Sequence, residues 1–347
     1  MPQAVVGIDI GTSSSKGILV GLDGRIIRTA VRSHRAQRPA PQRFEMDAEL
    51  WWSEFTDLAE ELTAPGDATV VAVGVSGMGP CMLLTDESGS PLRPAILYGV
   101  DSRATEQIER LNRELGAERI RERGGSALSS QAVGPKLAWV AEHEPAVWAR
   151  TRRLFMPASW LVWKLTGEYL LDYHSASQCS PLFDAEALDW YTPWAETIAP
   201  GLDLPPLRWP GDLAGLTTSP IGGIPTGVPV VVGTIDAWSE AISVDAQTPG
   251  DLMLMYGTTM FLVLTVDARV TSPSMWATVG AIKGTRNLAG GMATSGAITS
   301  WLAELTGADF ATLGDEAAVS GIGAQGVLML PYFAGERTRS RTRMPAA

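Results

Sequence analysis

The chain has 347 residues, 45% of them hydrophobic, a formal net charge of −11 and two cysteines. Its length exceeds one ordinary hydrophobic core, so we expect two domains. The negative charge argues against nucleic acid or an anionic membrane surface as a partner, and no apolar run is long enough to span a bilayer. Two cysteines and three widely spaced histidines predict neither a disulfide framework nor a zinc site, which favours a cytoplasmic protein.

The first informative stretch is a pair of β-branched runs on either side of a polar turn. The runs cover residues 5–10 and 17–20 and predict two strands, with Asp9 at the end of the first. The turn contains the expected phosphate contacts Gly11, Thr12 and Ser13. Small residues let backbone N–H groups and hydroxyls surround an anion, and a neighbouring carboxylate suits Mg²⁺. The alternative is a surface hairpin that binds nothing; the spacing excludes a Walker loop and a dinucleotide fingerprint.

The next segment predicts a helix followed by a strand. Asp47 is the expected N-cap of the helix. The helix has apolar residues at helical spacing, namely Trp51, Phe55, Leu58 and Leu62. An apolar strand over residues 70–75 then ends in a glycine-rich bend that contains Met78. The order strand, strand, strand, helix, strand indicates a ribonuclease H-like ATPase domain rather than a simple βαβ array.

A charged segment follows, and it begins with Asp101 and Arg103. It predicts a long helix that ends at about residue 115. Asp101 has two interpretations at this point: it is the N-cap of that helix, or it is a carboxylate that binds the hydroxyls of a polyol. Arg103 would pair with Asp101 or help to position the substrate.

A second buried strand, over residues 229–233, leads to Asp236 at the start of another predicted helix. One interpretation of Asp236 is again an N-cap. The other is a general base. A hydroxyl that attacks a phosphoryl group must lose its proton, and a fixed carboxylate within hydrogen-bond reach accepts it.

Residues 252–264 repeat the strand, turn, strand pattern of the opening stretch. The turn residues expected to face a nucleotide are Gly257, Thr258 and Thr259. Two such turns that face each other across a cleft are far more specific than either turn alone.

Together these motifs resemble the FGGY carbohydrate kinases, specifically the xylulokinase-like members, over nearly the whole chain up to residue 338. The resemblance implies an α/β fold of two ribonuclease H-like (actin/hexokinase-type ATPase) domains, the second incomplete. It implies ATP and Mg²⁺ as cofactors between the domains, with Asp9 and Asp236 as metal ligands and Asp236 as the catalytic base. The sugar-binding residues that it implies are Met78, Asp101 and Arg103.

Two places depart from the family pattern. FGGY kinases commonly carry Trp-x-Asp-x-Arg, and this chain has Gly99 where the aromatic residue would fall. Typical xylulokinases carry Met-His where this chain has Gly79 and Pro80. Both departures leave the identity of the sugar open, with a pentulose such as xylulose as the first expectation.

The predicted organisation is an FGGY N-terminal domain over residues 1–245 for sugar and phosphate, a partial C-terminal domain over 246–338 on the nucleotide side, and an aberrant tail over 339–347. The tail has no apolar period. If one base is inserted after the Thr338 codon, the bases that encode the tail can be read in another frame as a sequence that resembles the continuation of the family. We therefore expect a change of reading frame after residue 338.

The predicted function is ATP-dependent phosphorylation of a sugar or polyol hydroxyl, and a homodimer is one expectation for the assembly. The main alternative is a catalytically inactive kinase fragment that retains at most sugar binding. A weaker alternative is an actin-like ATPase or chaperone, against which the Asp101 and Arg103 element argues.

Overall fold

The computed structural model describes residues 1–257, 260–292 and 294–330. Within these ranges the chain forms twenty strands and eleven α-helices. The strands, β1 to β20 in chain order, are Gln3–Ile10, Ser14–Gly21, Ile26–Ser33, Gln37–Ala40, Arg43–Met46, Thr69–Gly77, Leu83–Thr85, Ala95–Ile96, Arg153–Phe155, Leu171–Asp172, Phe183–Asp184, Asp189–Trp190, Leu207–Arg208, Leu213–Leu216, Pro229–Val231, Thr234–Ile235, Leu252–Tyr256, Met260–Val266, Trp276–Val279 and Arg286–Met292. The helices, α1 to α11, are Ala48–Thr63, Thr105–Leu111, Ala117–Gly124, Val133–His143, Pro145–Trp148, Pro157–Thr166, Tyr173–Ser177, Thr192–Ile198, Asp236–Ser243, Ala297–Thr306 and Phe310–Ser320.

The largest sheet has the strand order β14-β15-β6-β1-β2-β3, and β16 also pairs with β6. Strands β1, β2 and β3 are antiparallel neighbours, whereas β6 runs parallel to β1 and both β15 and β16 run parallel to β6. Along β1 the buried residues alternate with half-buried ones, so Val6 and Ile8 face the core while Asp9 lies on the opposite face. Within this sheet the predicted order of three strands, a helix and a strand is confirmed, but β4 and β5, which belong to another sheet, lie between β3 and α1 in the chain.

Helix α1 covers one face of this sheet, as its sequence pattern predicts. The side chain of Asp47 accepts a hydrogen bond from the backbone N–H of Glu49 at 3.0 Å, which confirms the N-cap. The four residues of the predicted apolar stripe are all fully buried, namely Trp51, Phe55, Leu58 and Leu62. Burial of one such side chain is worth about 1.5–3 kcal/mol, so this stripe alone fixes the helix against the sheet.

The described residues form two hydrophobic cores. The division between these cores does not coincide with the predicted domain boundary after residue 245. One core contains the first sheet with α1 and α6. The other core contains helices α4, α7, α8 and α9 and continues into the second sheet, whose order is β17-β18-β20-β19. The domain boundary after residue 245 therefore stays a prediction.

Polar side chains of the first part of the chain hold the edge strand β19 of the second sheet. Ser126 Oγ accepts from the N–H of Ala277 at 2.7 Å and donates to its carbonyl oxygen at 3.1 Å. Two residues further on, the Val279 N–H donates to Ser177 Oγ at 3.2 Å, and its carbonyl oxygen accepts from His174 Nδ1 at 2.8 Å. Side chains thus satisfy the outward-facing backbone groups of this edge.

The helix predicted to begin at Asp101 begins instead at Thr105, with Ala104 as its N-cap. The carboxylate of Asp101 accepts hydrogen bonds from the N–H of Phe44 and from Arg103, which explains why it does not cap the helix. The N-cap interpretation of Asp101 is therefore wrong. The helical segment is also not continuous, since a π-helical turn over Asn112–Gly116 separates α2 from α3.

Two predictions lie outside the described residues, namely the roles of Thr258 and Thr259 and the aberrant tail over residues 339–347. Among the residues that are described, no helix is both long enough and apolar enough to cross a membrane.

Candidate active site

The carboxyl ends of three parallel strands bring the predicted catalytic residues to one edge of the first sheet. In the strand register Asp9 of β1 lies beside Ser76 of β6, and Ser76 lies beside Thr234 of β16. Asp236 follows β16 directly and is the first residue of α9. Ligands bind at this edge in open α/β sheets, so the sequence prediction that groups Asp9 with Asp236 agrees with the topology.

Asp236 has an unusual environment for a carboxyl group. One of its oxygens, Oδ1, accepts a hydrogen bond from the N–H of Ala237 at 2.8 Å. Burial, together with the negative charge of Asp9, raises the pKa of Asp236 to about 7, although the hydrogen bond from the Ala237 N–H opposes the shift. The residue preceding the helix, Ile235, is its N-cap, so Asp236 does not occupy the capping position. A carboxyl group that titrates near neutral pH is suited to accept a proton.

Asp9 is oriented by its neighbours on both sides. The hydroxyl of Ser76 donates to Asp9 Oδ1 at 2.8 Å. Burial raises the pKa of Asp9, while the hydrogen bond from Ser76 and the charge of Lys16 lower it. Lys16 lies opposite Asp9 in the antiparallel ladder of β1 and β2.

Sequence reasoning missed two charged residues of this site, Lys16 and Glu240. The signal for Lys16 was its position on β2, where hairpin pairing places it opposite Asp9. The signal for Glu240 was its spacing of four residues from Asp236, which puts both on one face of α9. Burial and the charge of Asp9 raise the pKa of Glu240, and Lys16 lowers it.

The turn after β1 is held from beneath by a buried polar network. His34 Nε2 contacts the carbonyl oxygen of Gly11 at 2.9 Å, and its Nδ1 contacts Glu54 at 2.9 Å. Ser15 also donates to Glu54, at 2.5 Å. Both ring nitrogens of His34 thus lie within hydrogen-bond distance of an oxygen atom, which joins the turn to α1. Thr12 shares a hydrogen bond of 3.1 Å with the hydroxyl of Tyr98.

Two cavities adjoin these groups. A cleft of about 690 Å³ is lined by Asp9, Lys16 and Ser76 on the sheet side and by Ile282 on the side of the second sheet. A smaller cavity of about 200 Å³ lies next to Tyr98. The other side chains that line the smaller cavity include Ser130, Gln131 and Trp276.

The three predicted sugar contacts are all buried. Met78 is 1% exposed, and its N–H donates to the carbonyl oxygen of Ile10. Asp101 is 0% exposed and forms a bidentate pair with Arg103, with Oδ2 at 2.7 Å from Nη2 and Oδ1 at 2.9 Å from Nε. The predicted pairing of Asp101 with Arg103 is thus confirmed, and direct contact of these side chains with a sugar stays a prediction.

Of the second predicted phosphate turn, the structure describes Gly257. It follows β17, is exposed, and its carbonyl oxygen accepts from the N–H of Gly296, the residue before α10, at 2.8 Å. This places Gly257 beside the amino end of α10.

The donor set around Asp9 and Asp236 fits Mg²⁺ rather than a metal held only by the protein. The described residues contain no cluster of three or more His, Cys, Asp or Glu side chains able to hold a metal ion. Burial is the main cause that raises the pKa of both Asp9 and Asp236, and the charge of Asp9 adds to the shift at Asp236. Mg²⁺ in phosphate-handling sites takes one or two carboxylates together with phosphate oxygens and water.

Comparison with known proteins identifies the family. Residues 4–243 match the model of the N-terminal domain of the FGGY family of carbohydrate kinases. The chain belongs to the FGGY family. The matched residues include the strand with Asp9, the turn after it and the start of α9 at Asp236. The FGGY kinases are phosphotransferases that take an alcohol group as acceptor and use ATP as a substrate, so this chain is a carbohydrate kinase by family.

Relatives of the chain within the family include kinases for different substrates. A xylulose kinase of Klebsiella pneumoniae is 29% identical over 342 residues, which cover 96% of this chain and 70% of that protein. A glycerol kinase of Janthinobacterium is 26% identical, with coverages of 96% and 70%. The solved structure of xylulose kinase from Rhodospirillum rubrum superposes with a TM-score of 0.90 at 29% identity, and the match covers 96% of this chain and 70% of that one. This likeness confirms the predicted α/β fold of the actin/hexokinase type.

Proposed function

We propose that this FGGY kinase transfers the γ-phosphoryl group of ATP to a hydroxyl of a pentulose such as xylulose. The observation that carries the proposal is the placement of Asp9 and Asp236 at the carboxyl ends of β1 and β16, the two strands that flank the end of β6, with the pKa of Asp236 raised to about 7. General bases work best when their pKa lies near the operating pH. Similarity to xylulose kinases supports xylulose as the first substrate to test.

Each residue of the site has a role in this proposal. Asp236 accepts the proton of the attacking hydroxyl. Asp9, oriented by Ser76, would hold Mg²⁺ together with Asp236, and the bound ion supplies positive charge for the phosphate oxygens. The turn at Gly11, Thr12 and Ser13 presents its N–H groups and hydroxyls to the phosphates. Lys16, which lines the same cleft, adds a positive charge beside them.

The sugar would occupy the cavity of about 200 Å³ beside Tyr98. Aromatic side chains there, Tyr98 and Trp276, offer flat surfaces, and Ser130 and Gln131 offer polar groups. Small-molecule sites combine such surfaces with a few polar groups that fix orientation. The amide nitrogen of Gln131 has no hydrogen-bond partner among the described residues, so it is available to donate to a sugar hydroxyl.

The proposal is tested by measuring sugar-dependent ADP release with xylulose, ribulose, glycerol and gluconate. We expect turnover with a pentulose, and Asp236→Asn should lower kcat by at least about 10². Asp57→Asn, on the exposed face of α1, is the matched control and should leave kcat unchanged. An unchanged kcat in Asp236→Asn would reduce Asp236 to a residue of the helix start.

The second candidate is an inactive kinase that retains sugar binding. The observation that favours it is the open nucleotide side, since α10 and α11 contain no buried residue and Gly257 is exposed. Calorimetric titration separates the two candidates. The inactive form binds xylulose with no detectable ATP binding, whereas the active kinase binds both.

A further inference from the structure

Lys136 is a fully buried lysine that none of the roles above uses. It lies on α4 and is 1% exposed. Its Nζ donates to two consecutive carbonyl oxygens, that of Leu97 at 2.6 Å and that of Tyr98 at 2.9 Å. Lysine is almost never fully buried unless its charge is paired, so these two contacts account for its position.

The two carbonyl groups begin the turn that carries the predicted sugar-side residues. The carbonyl oxygen of Tyr98 also accepts from the N–H of Asp101 at 3.0 Å, which closes the turn. The hydroxyl of Tyr98 reaches Thr12 of the phosphate turn at 3.1 Å. Lys136 therefore lies directly behind a segment, residues 97–101, that contacts the sugar cavity on one side and the phosphate turn on the other.

The segment just before α4 holds the middle of the same turn. Ser130 Oγ donates to the carbonyl oxygen of Gly99 at 2.8 Å, and the N–H of Gly99 donates to Gln131 Oε1 at 2.6 Å. Each of the residues 97, 98 and 99 is thus fixed by a side chain from residues 130–136. Among these contacts only that of Lys136 brings a full charge.

We propose that Lys136 is a positioning residue that holds the turn at residues 97–101 in its sugar-binding shape. This inference rests on the proposed kinase function and deepens it. An ammonium group in a core carries a large desolvation cost, and apolar side chains of similar volume often replace buried ions without loss of stability. Stability alone therefore does not account for a lysine here. A charge-assisted hydrogen bond to a carbonyl group is stronger than a neutral one, which suits the fixing of a binding turn.

The proton on Lys136 gives this role a pH dependence. Burial lowers the pKa of Lys136 to about 8, the negative charge of Asp101 opposes that shift, and the positive charge of Arg103 adds to it. As the pH rises through about 8, the amine loses a proton and the contacts to Leu97 and Tyr98 weaken. The neighbours keep their states in this range, since burial raises the pKa of Cys81 to about 12 and the pairing with Asp101 raises that of Arg103.

The kinetic test compares the wild type with Lys136→Met and Lys136→Arg at pH 7 and pH 9. At pH 7 we expect Lys136→Met to raise the KM for sugar by at least about fivefold, the lower end for a lost buried hydrogen bond, with the KM for ATP changed less than twofold. The wild-type KM for sugar should rise between pH 7 and pH 9 by more than that of Lys136→Met, in which only the ionisation of Asp236, with its pKa of about 7, remains. Lys136→Arg, which stays charged, should restore part of the affinity without the additional rise seen in the wild type.

Two controls accompany these variants. Lys164→Met removes a lysine that lies over Trp52 and Trp160 on α6 and should leave both KM values unchanged. Tyr98→Phe removes the titratable hydroxyl of the turn itself. The additional rise of the KM for sugar should persist in Tyr98→Phe, because Lys136 is its source.

A second readout does not depend on turnover. Amide hydrogen exchange of residues 97–103 should be faster in Lys136→Met than in the wild type, with α1 and α6 unchanged. If the wild type neither binds nor phosphorylates any sugar, the proposed kinase function fails, and a faster exchange still supports the hold of Lys136 on the turn. Equal changes of both KM values, or an unchanged exchange at residues 97–103, overturn the inference.

Discussion

At the scale of single residues, the proposed chemistry depends on the protonation of Asp236. Burial and the charge of Asp9 raise its pKa to about 7, from an ordinary value of about 3.9 in an unfolded chain. A carboxyl group with a raised pKa contributes stability below the unfolded pKa and loses that contribution as the pH rises through the folded pKa. The ionised carboxylate of Asp236 is therefore well suited to accept a proton. Its ionisation also lowers the free energy of unfolding of the protein.

Asp236→Asn should accordingly stabilise the protein at alkaline pH. The neutral amide does not ionise, so at pH 8 in the presence of EDTA we expect a free energy of unfolding above that of the wild type, by at most about 4 kcal/mol. At pH 5 the gain should be less than half as large. Denaturant unfolding at the two pH values measures both. A variant no more stable than the wild type at pH 8 would show that the site does not destabilise the ionised carboxylate.

Gly99 illustrates how a neighbour decides which residue fits. A Cβ atom added at Gly99 would lie 2.7 Å from Oε1 and 2.9 Å from Cδ of Gln131, closer than real Cβ contacts. Gln131 thus occupies the space that an aromatic residue at position 99 would need. This chain lacks the aromatic residue of the Trp-x-Asp-x-Arg pattern. The side chain of Gln131, 32 residues further on, lies against Gly99 and accepts a hydrogen bond from its N–H.

We expect Gly99→Ala to lower the free energy of unfolding by about 1–3 kcal/mol, because it overpacks the site and breaks the bond from the Gly99 N–H to Gln131. Gln131→Ala in the same chain should recover part of that loss. A double-mutant cycle measures the coupling between the two positions. Additive effects of the two changes would show that Gln131 does not limit the residue at position 99.

At the scale of elements, the helices and strands that carry the site were easier to predict from the sequence than the hydrogen-bond partners of its side chains. The apolar stripe and cap of α1 were predictable because both follow from local periodicity and a single side-chain hydrogen bond. The helix after Asp101 was not, because Arg103 and the N–H of Phe44 occupy the carboxylate that would have capped it. Phe44 is 57 residues away in sequence, and no local pattern shows such a partner. The same applies to the network of His34 and Glu54 under the phosphate turn.

Glu54→Gln tests whether that network shapes the phosphate turn. The variant keeps the volume of the side chain but removes the charge that faces His34, so the contact of His34 with the Gly11 carbonyl oxygen should weaken. We expect the KM for ATP to rise by at least about fivefold with little change in the KM for sugar. Ser53→Ala, at an exposed neighbouring position of α1, is the control. A loss of stability with an unchanged KM for ATP would give the network a structural role only.

At the scale of the whole molecule, the described residues divide into a well-packed part and an exposed part. Large side chains of the second half are exposed, including Tyr256, Leu305, Phe310 and Val319. Helices α10 and α11 contain no buried residue. The chain spans about 70% of the length of its curated relatives.

This division predicts uneven local stability. Helices with few buried contacts open more easily than core helices, so amide hydrogens of α10 and α11 should exchange much faster than those of α1 and α6. Strand β19 should resemble the core, because Ser126, Ser177 and His174 hold its edge. Mass-spectrometric hydrogen exchange at neutral pH checks this order. Equal protection of α1 and α10 would contradict it.

In the proposed reaction, this FGGY kinase moves a phosphoryl group from ATP to a sugar hydroxyl with Asp236 as the base. The most direct test follows the reaction by ³¹P NMR with xylulose, ATP and Mg²⁺, because it detects the phosphate ester itself rather than ADP. We expect a sugar phosphate signal with the wild type and a rate lower by at least about 10² with Asp236→Asn. Release of inorganic phosphate without a sugar phosphate, or no consumption of ATP with any sugar, would contradict the claim.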